Sequence, residues 1–255
     1  MNPRSVAAIL ACLLSFGIGS AAPADDVIAR ARAYLGAERA LEAVRSIHFT
    51  GTLELTAQVP SEADPSVTVD QQLRLPVDIV FQKPYQQRIV VRSEKVIETS
   101  ALDDYDGWQR RSDAQDPSRS QVVPLDPQQV KRLRANTWEN LSFFRGLERR
   151  GGRVEYQGEA TADGVACAKI AFIHGENIVF YRFFDRTTGR LVKTETESGG
   201  EIREEGEMTV SGVRFPRKVI NKTPDGKTTT ITFEKVVINE VHPASDFAYP
   251  TLSAP

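Results

Sequence analysis

The sequence predicts a mainly β (α+β) fold in which about eleven antiparallel strands curl into a barrel or half-barrel beside two helices. From Ile47 onward, most of the chain alternates apolar and polar residues with a period of two. Gly, Pro and Asp-Gly turn signals separate these segments at intervals of about 10 to 14 residues. A sheet of so many long strands accumulates twist and cannot stay flat, so it must curl.

The first 24 residues are predicted to be a signal peptide and not part of the fold. Val6 to Gly19 form an apolar run too short to span a membrane, and Ala22-Pro23-Ala24 fits the small-residue rule for cleavage. We expect export to the periplasm and cleavage after Ala24, which leaves residues 25–255 as a single domain. The alternative is a lipoprotein signal that uses Cys12, although the apolar run continues past that cysteine.

Composition is that of an ordinary globular protein. The sequence has 32 Lys and Arg against 34 Asp and Glu, a formal charge of -2, and 40% hydrophobic residues. This balance gives no electrostatic attraction toward nucleic acid, and no second apolar run could span a membrane. After cleavage Cys167 is the one cysteine left, so no intrachain disulfide is expected. Its apolar strand predicts a buried side chain, in a chain long enough to fold without disulfides.

The N-terminal part of the mature chain predicts one helix and then one long strand. Residues 25–45 carry apolar side chains at helical spacing, with Gly36 as the weak point of the helix. The strand begins at Ile47, where apolar residues fall on one face and His48, Thr50 and their successors on the other. A polar loop is expected over residues 60–66.

The stretch from Phe81 to Arg111 predicts three strands joined by two turns. Lys83-Pro84 marks the first turn. Asp106-Gly107, directly before Trp108, is predicted as a hairpin turn, because Asp-Gly between apolar runs is a strong hairpin signal. A polar loop follows, from residue 112 to about residue 120.

A second helix is predicted to begin with Asp126 as N-cap and Pro127 at its first position, and to end near Arg150 before two glycines. Seven basic residues between 126 and 153 face two glutamates, a marked charge bias. Two interpretations remain open. Either the helix packs on the core with its basic side chains reaching solvent, or it is a lid that contacts lipid head groups or an anionic partner.

The rest of the chain predicts strands and tight turns, and one strand is apolar on both faces. Ile178, Phe180 and Phe184 lie on one side, interrupted by Arg182, and further apolar residues lie on the other. Two apolar faces need two covers, or one cover and one ligand. Because two helices cannot cover so large a sheet, an incompletely filled concave apolar surface is expected.

Five short motifs, in order along the chain, carry a family resemblance. They are Lys83-Pro84, Asp106-Gly107-Trp108, FFDRTTGRLVKTE (183–195), VSGVRFPRKVI (210–220) and DFAYP (246–250). Together they resemble the outer-membrane lipoprotein-sorting (LolA-like) periplasmic carriers, over about four-fifths of the mature chain.

The resemblance implies an incomplete antiparallel β-barrel with helices covering its open side, LolA/LolB-like, around a hydrophobic cavity that takes up acyl chains. In the family's carrier, an arginine before the proline of the first hairpin latches the helical lid. The matching residue here is Lys83, which lacks the planar fork of arginine. The ligand-binding residues we expect are Lys83, Phe81, Ile89, Val91, Trp138, Leu141, Phe144, Phe172 and Phe180.

No catalytic or metal motif competes with this interpretation. His48, His174 and His242 are far apart, none has a second histidine at helical spacing, and His174 is expected in a turn. Asp104, Asp106 and Gly107 resemble part of a calcium loop, but Leu102 stands at the position of the first ligand, so a hairpin is favoured. The acidic residues of 201–207 are read as solvated edge residues. We expect no catalytic residue, metal or cofactor.

The leading functional hypothesis is a non-enzymatic periplasmic carrier of lipoprotein acyl chains or another apolar ligand. It is expected to be a monomer without nucleic-acid partners, and an envelope protein is a further possible partner. One alternative is an interaction or sensor module on the same fold without lipid cargo. The other is a hydrolase whose site residues are scattered along the chain.

Overall fold

The structure is a computed structural model that describes residues 21–61, 64, 66–175 and 177–250. The predicted signal peptide and the alternative use of Cys12 lie almost entirely outside the described residues. Cleavage after Ala24 therefore stays a prediction.

The described residues form three α-helices and thirteen strands. The helices are α1 (Ala21–Leu35), α2 (Glu38–Ala43) and α3 (Pro127–Ser142). The strands are β1 (Ser46–Pro60), β2 (Thr68–Gln82), β3 (Gln86–Arg92), β4 (Val96–Asp103), β5 (Asp106–Asp113), β6 (Ser120–Pro124), β7 (Arg153–Ala162), β8 (Val165–Gly175), β9 (Ile178–Asp185), β10 (Leu191–Thr196), β11 (Glu201–Val210), β12 (Val213–Lys222) and β13 (Thr228–Ile238). Within the described part of the chain, no helix combines the length and apolarity needed to cross a membrane.

All thirteen strands lie in one antiparallel sheet, in the order β6-β5-β4-β3-β2-β1-β13-β12-β11-β10-β9-β8-β7. Strands that are adjacent in the sheet are also consecutive in the chain, except at the centre, where β1 pairs with β13. The edge strands β6 and β7 are not paired with each other. The sheet is therefore an open barrel, which confirms the predicted fold class. Thirteen strands replace the expected eleven or so, in part because the short edge strand β6 has no clear period-two signal.

The period of two separates the two faces of the sheet. Ile47 and Phe49 of β1 are buried, whereas His48 and Thr50 point to the other side. The side of Ile47 and Phe49 is the concave face, and the side of His48 is the convex face. β1 and β2 pair along all fifteen residues of each strand, which fixes this assignment through the middle of the sheet.

Helix α3 lies in the connection from edge strand β6 to edge strand β7, and so it crosses the open side. Asp126 caps it as predicted, because its Oδ1 accepts the backbone N–H groups of Gln128 and Gln129 at 2.8 and 3.0 Å. The predicted end near Arg150 is wrong. The helix ends at Ser142, because Phe143 and Phe144 adopt left-handed backbone conformations (φ 49° and 70°) with both rings buried.

The predicted first helix is divided into α1 and α2 at Gly36, the expected weak point. The backbone of Gly36 bridges to Val213 at the start of β12. A Cβ on Gly36 would lie 2.4 Å from the carbonyl oxygen of Gly212, so the close approach requires glycine. The break turns α2 toward the start of β1.

Two local predictions are wrong. The turn between β4 and β5 is made by Asp104, with φ 54°, and Tyr105, while Asp106 and Gly107 already pair in β5. Gly107 instead allows α3 to approach the sheet, because a Cβ there would lie 2.9 Å from a methyl group of Val130 on α3. His174, expected in a turn, lies in strand β8.

Two hydrophobic clusters fill the space between the helices and the concave face. In the first, α1 and α3 pack against β8 and β9 around Trp138, Phe172 and Phe184. In the second, α2 and the end of α3 pack against the central strands around Phe49 and Phe233. Cys167 is fully buried as predicted, and burial raises the pKa of its thiol, so it is not a reactive thiolate.

Candidate ligand-binding cavity

A cavity of about 830 Å³ lies between the concave face and the helices. Strands β1–β3 and β9–β13 form its walls, and α1 and α3 contribute its cover. The lining includes members of both hydrophobic clusters, so the cavity lies where the clusters meet. The expected incompletely filled concave surface is present.

Aromatic and branched side chains of the central strands form the apolar wall. Phe49 is at its centre, with its ring centroid 4.4 Å from that of Phe233, 5.8 Å from that of Phe215 and 6.4 Å from that of Phe81. These inward-facing rings alternate with outward-facing residues on each strand, as the pleat requires. The wall offers a ligand hydrocarbon-like contact without polar groups.

Acidic side chains also line the cavity, and Glu204 of β11 is one of them. It is half-buried, and among the described residues it has no hydrogen-bond or ion-pair partner. Burial raises the pKa of Glu204, and the attraction of Arg182 opposes this only in part. The prediction that the acidic residues of β11 are solvated edge residues is therefore wrong for Glu204. The strand lies inside the sheet, between β10 and β12, and its alternation directs Ile202 and Glu204 inward.

Glu139 anchors helix α3 to the sheet. Its Oε1 lies 2.6 Å from His174 Nε2 on β8, and its Oε2 pairs with Arg182 on β9. All three side chains are almost completely buried. The guanidinium of Arg182 also lies over the rings of Phe144 and Phe172, at 4.8 and 5.0 Å. Arg182 interrupts an inward-facing apolar row of the sequence. Because a buried charge requires a partner, this interruption is a sequence signal for a buried ion pair.

Arg32 of α1 connects the two parts of the helical cover. Its Nη1 donates to the carbonyl oxygens of Ser142 and Phe143 at 3.1 and 2.6 Å, at the end of α3. Its Nε and Nη2 donate to both carboxylate oxygens of Glu38 at 3.0 and 2.6 Å. The side chain is 4% exposed. A cation is favourable at the C-terminal end of a helix. The sequence prediction did not include Arg32, although it follows Ile28 by one helical turn on an otherwise apolar stripe.

Lys83, the residue before Pro84, reaches the end of α2. Its Nζ donates to the carbonyl oxygen of Val44, the residue that follows α2, at 2.6 Å. Burial lowers the pKa of Lys83, and repulsion from Arg45 and Arg32 adds to this effect. Its role as a latch stays a prediction.

The nine predicted ligand-binding residues fall into two groups. Phe81, Ile89, Phe144 and Phe180 line the cavity. The other five do not line it: Leu141 and Phe172 are core residues, Trp138 packs against His174, Val91 borders the second cluster, and Lys83 bonds to Val44. Ligand contact by any of the nine stays a prediction.

Comparison with known structures identifies the fold. Similar structures include a LolA superfamily protein from Nitrosomonas europaea (10% identity, TM-score 0.55, 89% of this chain and 97% of that chain). A DUF1329 family protein from Desulfovibrio piger gives 9% identity and a TM-score of 0.54, covering 89% of this chain and 98% of that chain. A protein domain from Vibrio parahaemolyticus, described as outer membrane lipoprotein-sorting, gives 8% identity and a TM-score of 0.53, covering 89% and 96%.

The chain therefore has the LolA-like fold, as the sequence motifs indicated. No protein-family model matches the sequence, and no curated protein matches it significantly. Identities of 8–10% establish the architecture and leave the function to be argued from the cavity.

Proposed function

We propose that this chain is a non-enzymatic periplasmic carrier that holds a lipoprotein acyl chain or another apolar ligand in the cavity. The observation that carries the proposal is the cavity of about 830 Å³ between an aromatic sheet wall and a helical cover. Pockets for small ligands usually measure about 300–1,000 Å³ and are mostly apolar with a few polar groups. The cavity matches this description in both size and lining.

The energetics of an acyl chain fit such a carrier. A chain of about fourteen carbons gains roughly 10 kcal/mol on burial, at about 0.8 kcal/mol per methylene. That gain is ample for capture and too large for fast spontaneous release. The helical cover must therefore open for transfer. Opening would break the bonds that join its parts or hold the helices to the sheet, which are those of Arg32 to the end of α3, Lys83 to Val44 and Glu139 to Arg182.

The polar side chains of the lining favour an amphipathic ligand over a pure hydrocarbon. Glu204 and Arg182 face the cavity beside the amides of Asn136 and Asn140 from α3. The polar end of the ligand would lie among these groups, and its tail would lie against Phe49 and its aromatic neighbours. A hydrogen-bond donor on the ligand would give Glu204 the partner that it lacks.

Native mass spectrometry of the protein purified from a bacterial periplasm tests the proposal. We expect a mass excess that corresponds to one ligand and that organic extraction removes. An apo mass combined with a specific envelope protein in pull-down experiments would favour the interaction module instead. Turnover of ester substrates by the pure protein would favour a hydrolase.

A further inference from the structure

A second cluster of polar side chains lies on the convex face, on the opposite side of the sheet from the cavity. It joins His48 of β1 to Glu240 and His242 in the segment after β13. Two contacts hold this segment in place. The Ser46 hydroxyl donates to the carbonyl oxygen of Glu240 at 2.6 Å, and Gln82 of β2 bonds to both the N–H and the carbonyl of His242. The pairing of β1 with β13 thus brings together residues almost two hundred positions apart.

The two imidazole rings direct one nitrogen each toward the same carboxylate oxygen. His48 Nδ1 lies 2.6 Å from Glu240 Oε2, and His242 Nε2 lies 3.7 Å from it. All three atoms lie within 4.8 Å of one another. The rings meet edge to face, with centroids 5.4 Å apart.

The second nitrogen of each ring faces another carboxylate. His48 Nε2 lies 2.8 Å from Asp78 Oδ2, and His242 Nδ1 lies 3.9 Å from Asp246 Oδ2. Arg88 lies between these carboxylates, 3.8 Å from Asp78 and 3.5 Å from Asp246. A carboxylate behind a histidine is the usual support of a metal ligand, because it fixes the tautomer and leaves the front nitrogen free to coordinate.

An unpartnered nitrogen points to an occupant of the cluster. Within the part of the chain that the structure describes, His242 Nε2 is buried and has no hydrogen-bond partner, and the side chain is 8% exposed. Leaving such a group unpaired is costly. A charged imidazole at His48 would explain its contacts with Asp78 and Glu240, but it would leave His242 Nε2 unpaired.

We propose that His48 Nδ1, Glu240 Oε2 and His242 Nε2 bind a divalent transition-metal cation such as Zn²⁺. Zinc bonds to nitrogen and oxygen of about 2.0–2.2 Å place tetrahedral ligands about 3.3 Å apart. The present separations reach this geometry through side-chain shifts of about 1 Å, and the half-exposed Glu240 is free to make them. Two imidazoles and one carboxylate suit zinc, copper or nickel better than magnesium or calcium. The bound cation would tie the segment after β13 to β1.

Metal titration of the full mature chain tests the site. The protein should carry no polyhistidine tag and should be stripped with EDTA before isothermal titration with ZnCl₂. We expect one saturable site. His48→Ala and His242→Ala should weaken binding by about tenfold or more, and Asp78→Asn by about 10- to 100-fold, since supporting carboxylates contribute that much. Glu240→Gln should weaken binding, whereas Glu234→Gln, an exposed glutamate on β13, should not.

Cobalt spectroscopy of the unaltered protein keeps the test independent of the folding of variants. Tetrahedral Co²⁺ absorbs visible light far more strongly than the hydrated ion, and Zn²⁺ should displace this signal. Equal zinc affinity in all variants, or only the spectrum of hydrated Co²⁺ with the unaltered protein, would overturn the proposal.

Discussion

Replacing Arg32 with alanine should lower the free energy of unfolding by about 3.5 kcal/mol. The buried guanidinium donates two hydrogen bonds to carbonyl groups at the end of α3 and two to Glu38. Bonds to a charged group contribute about 1.5–3 kcal/mol each, and the carbonyl pair takes the lower value because water can replace the guanidinium at a helix end. Glu38 is 43% exposed, so solvent screening limits its pair to about 0.5 kcal/mol.

Urea unfolding, followed by tryptophan fluorescence, measures this change as a lower midpoint at an unchanged slope. Arg32→Lys should recover only part of the loss, because lysine cannot reach the carbonyls and both oxygens of Glu38 together. Arg30→Ala, an exposed arginine on the same helix, is the matched control and should change stability by less than about 0.5 kcal/mol. If Arg32→Ala matched that control, the connection between α1 and α3 would carry no stabilising role.

Three further predictions concern the cavity and its cover. Burial raises the pKa of Glu204 above its ordinary value of 4.5, so its ionisation costs stability as pH rises from that value through the raised pKa. Glu204→Gln should therefore be more stable than the unaltered protein near neutral pH, and the difference in the free energy of unfolding should disappear near pH 4. Denaturant titrations that showed the same difference at both pH values would contradict this. Lys83→Leu should speed the transfer of bound lipid to acceptor vesicles, because it removes the bond to Val44. Lys83→Arg should leave the transfer rate unchanged or lower it. If both variants transferred lipid at the rate of the unaltered protein, Lys83 would have no role in release. Phe144→Ala enlarges the cavity, and it should change the affinity for an apolar dye such as ANS more than Phe172→Ala does, because Phe172 lies in the core and does not line the cavity. A larger change in Phe172→Ala than in Phe144→Ala would place the dye elsewhere.

Much of the fold could be predicted from local signals. The period of two from Ile47, the cap at Asp126 and the weak point at Gly36 are all decided by residues within a few positions of one another. Local signals failed where a distant element determines the conformation. Gly107 is required by the approach of α3, not by a turn, and α3 ends early because Phe143 and Phe144 turn into the core.

The polar features of the site depend on contacts between distant parts of the chain. Glu204 lies on a strand with polar residues on both faces, so its sequence does not show which face is concave. The His48–His242 pair arises from the β1–β13 pairing, which no spacing rule detects. Arg182 is the exception, because a charge within an apolar row is a local signal for a buried ion pair, and Glu139 is the partner that the structure supplies.

The most direct test of the central claim places an indole inside the cavity and compares it with one outside. Val219 of β12 lines the cavity, and its neighbour Ile220 does not. In Val219→Trp the added ring should displace about two methylenes of ligand, a loss of about 1.6 kcal/mol or roughly tenfold in affinity. Titration of a fluorescent long-chain fatty acid should show one site in the unaltered protein, this weakening in Val219→Trp, and an unchanged affinity in Ile220→Trp. Equal affinities in the two variants, or no binding by the unaltered protein, would contradict the account.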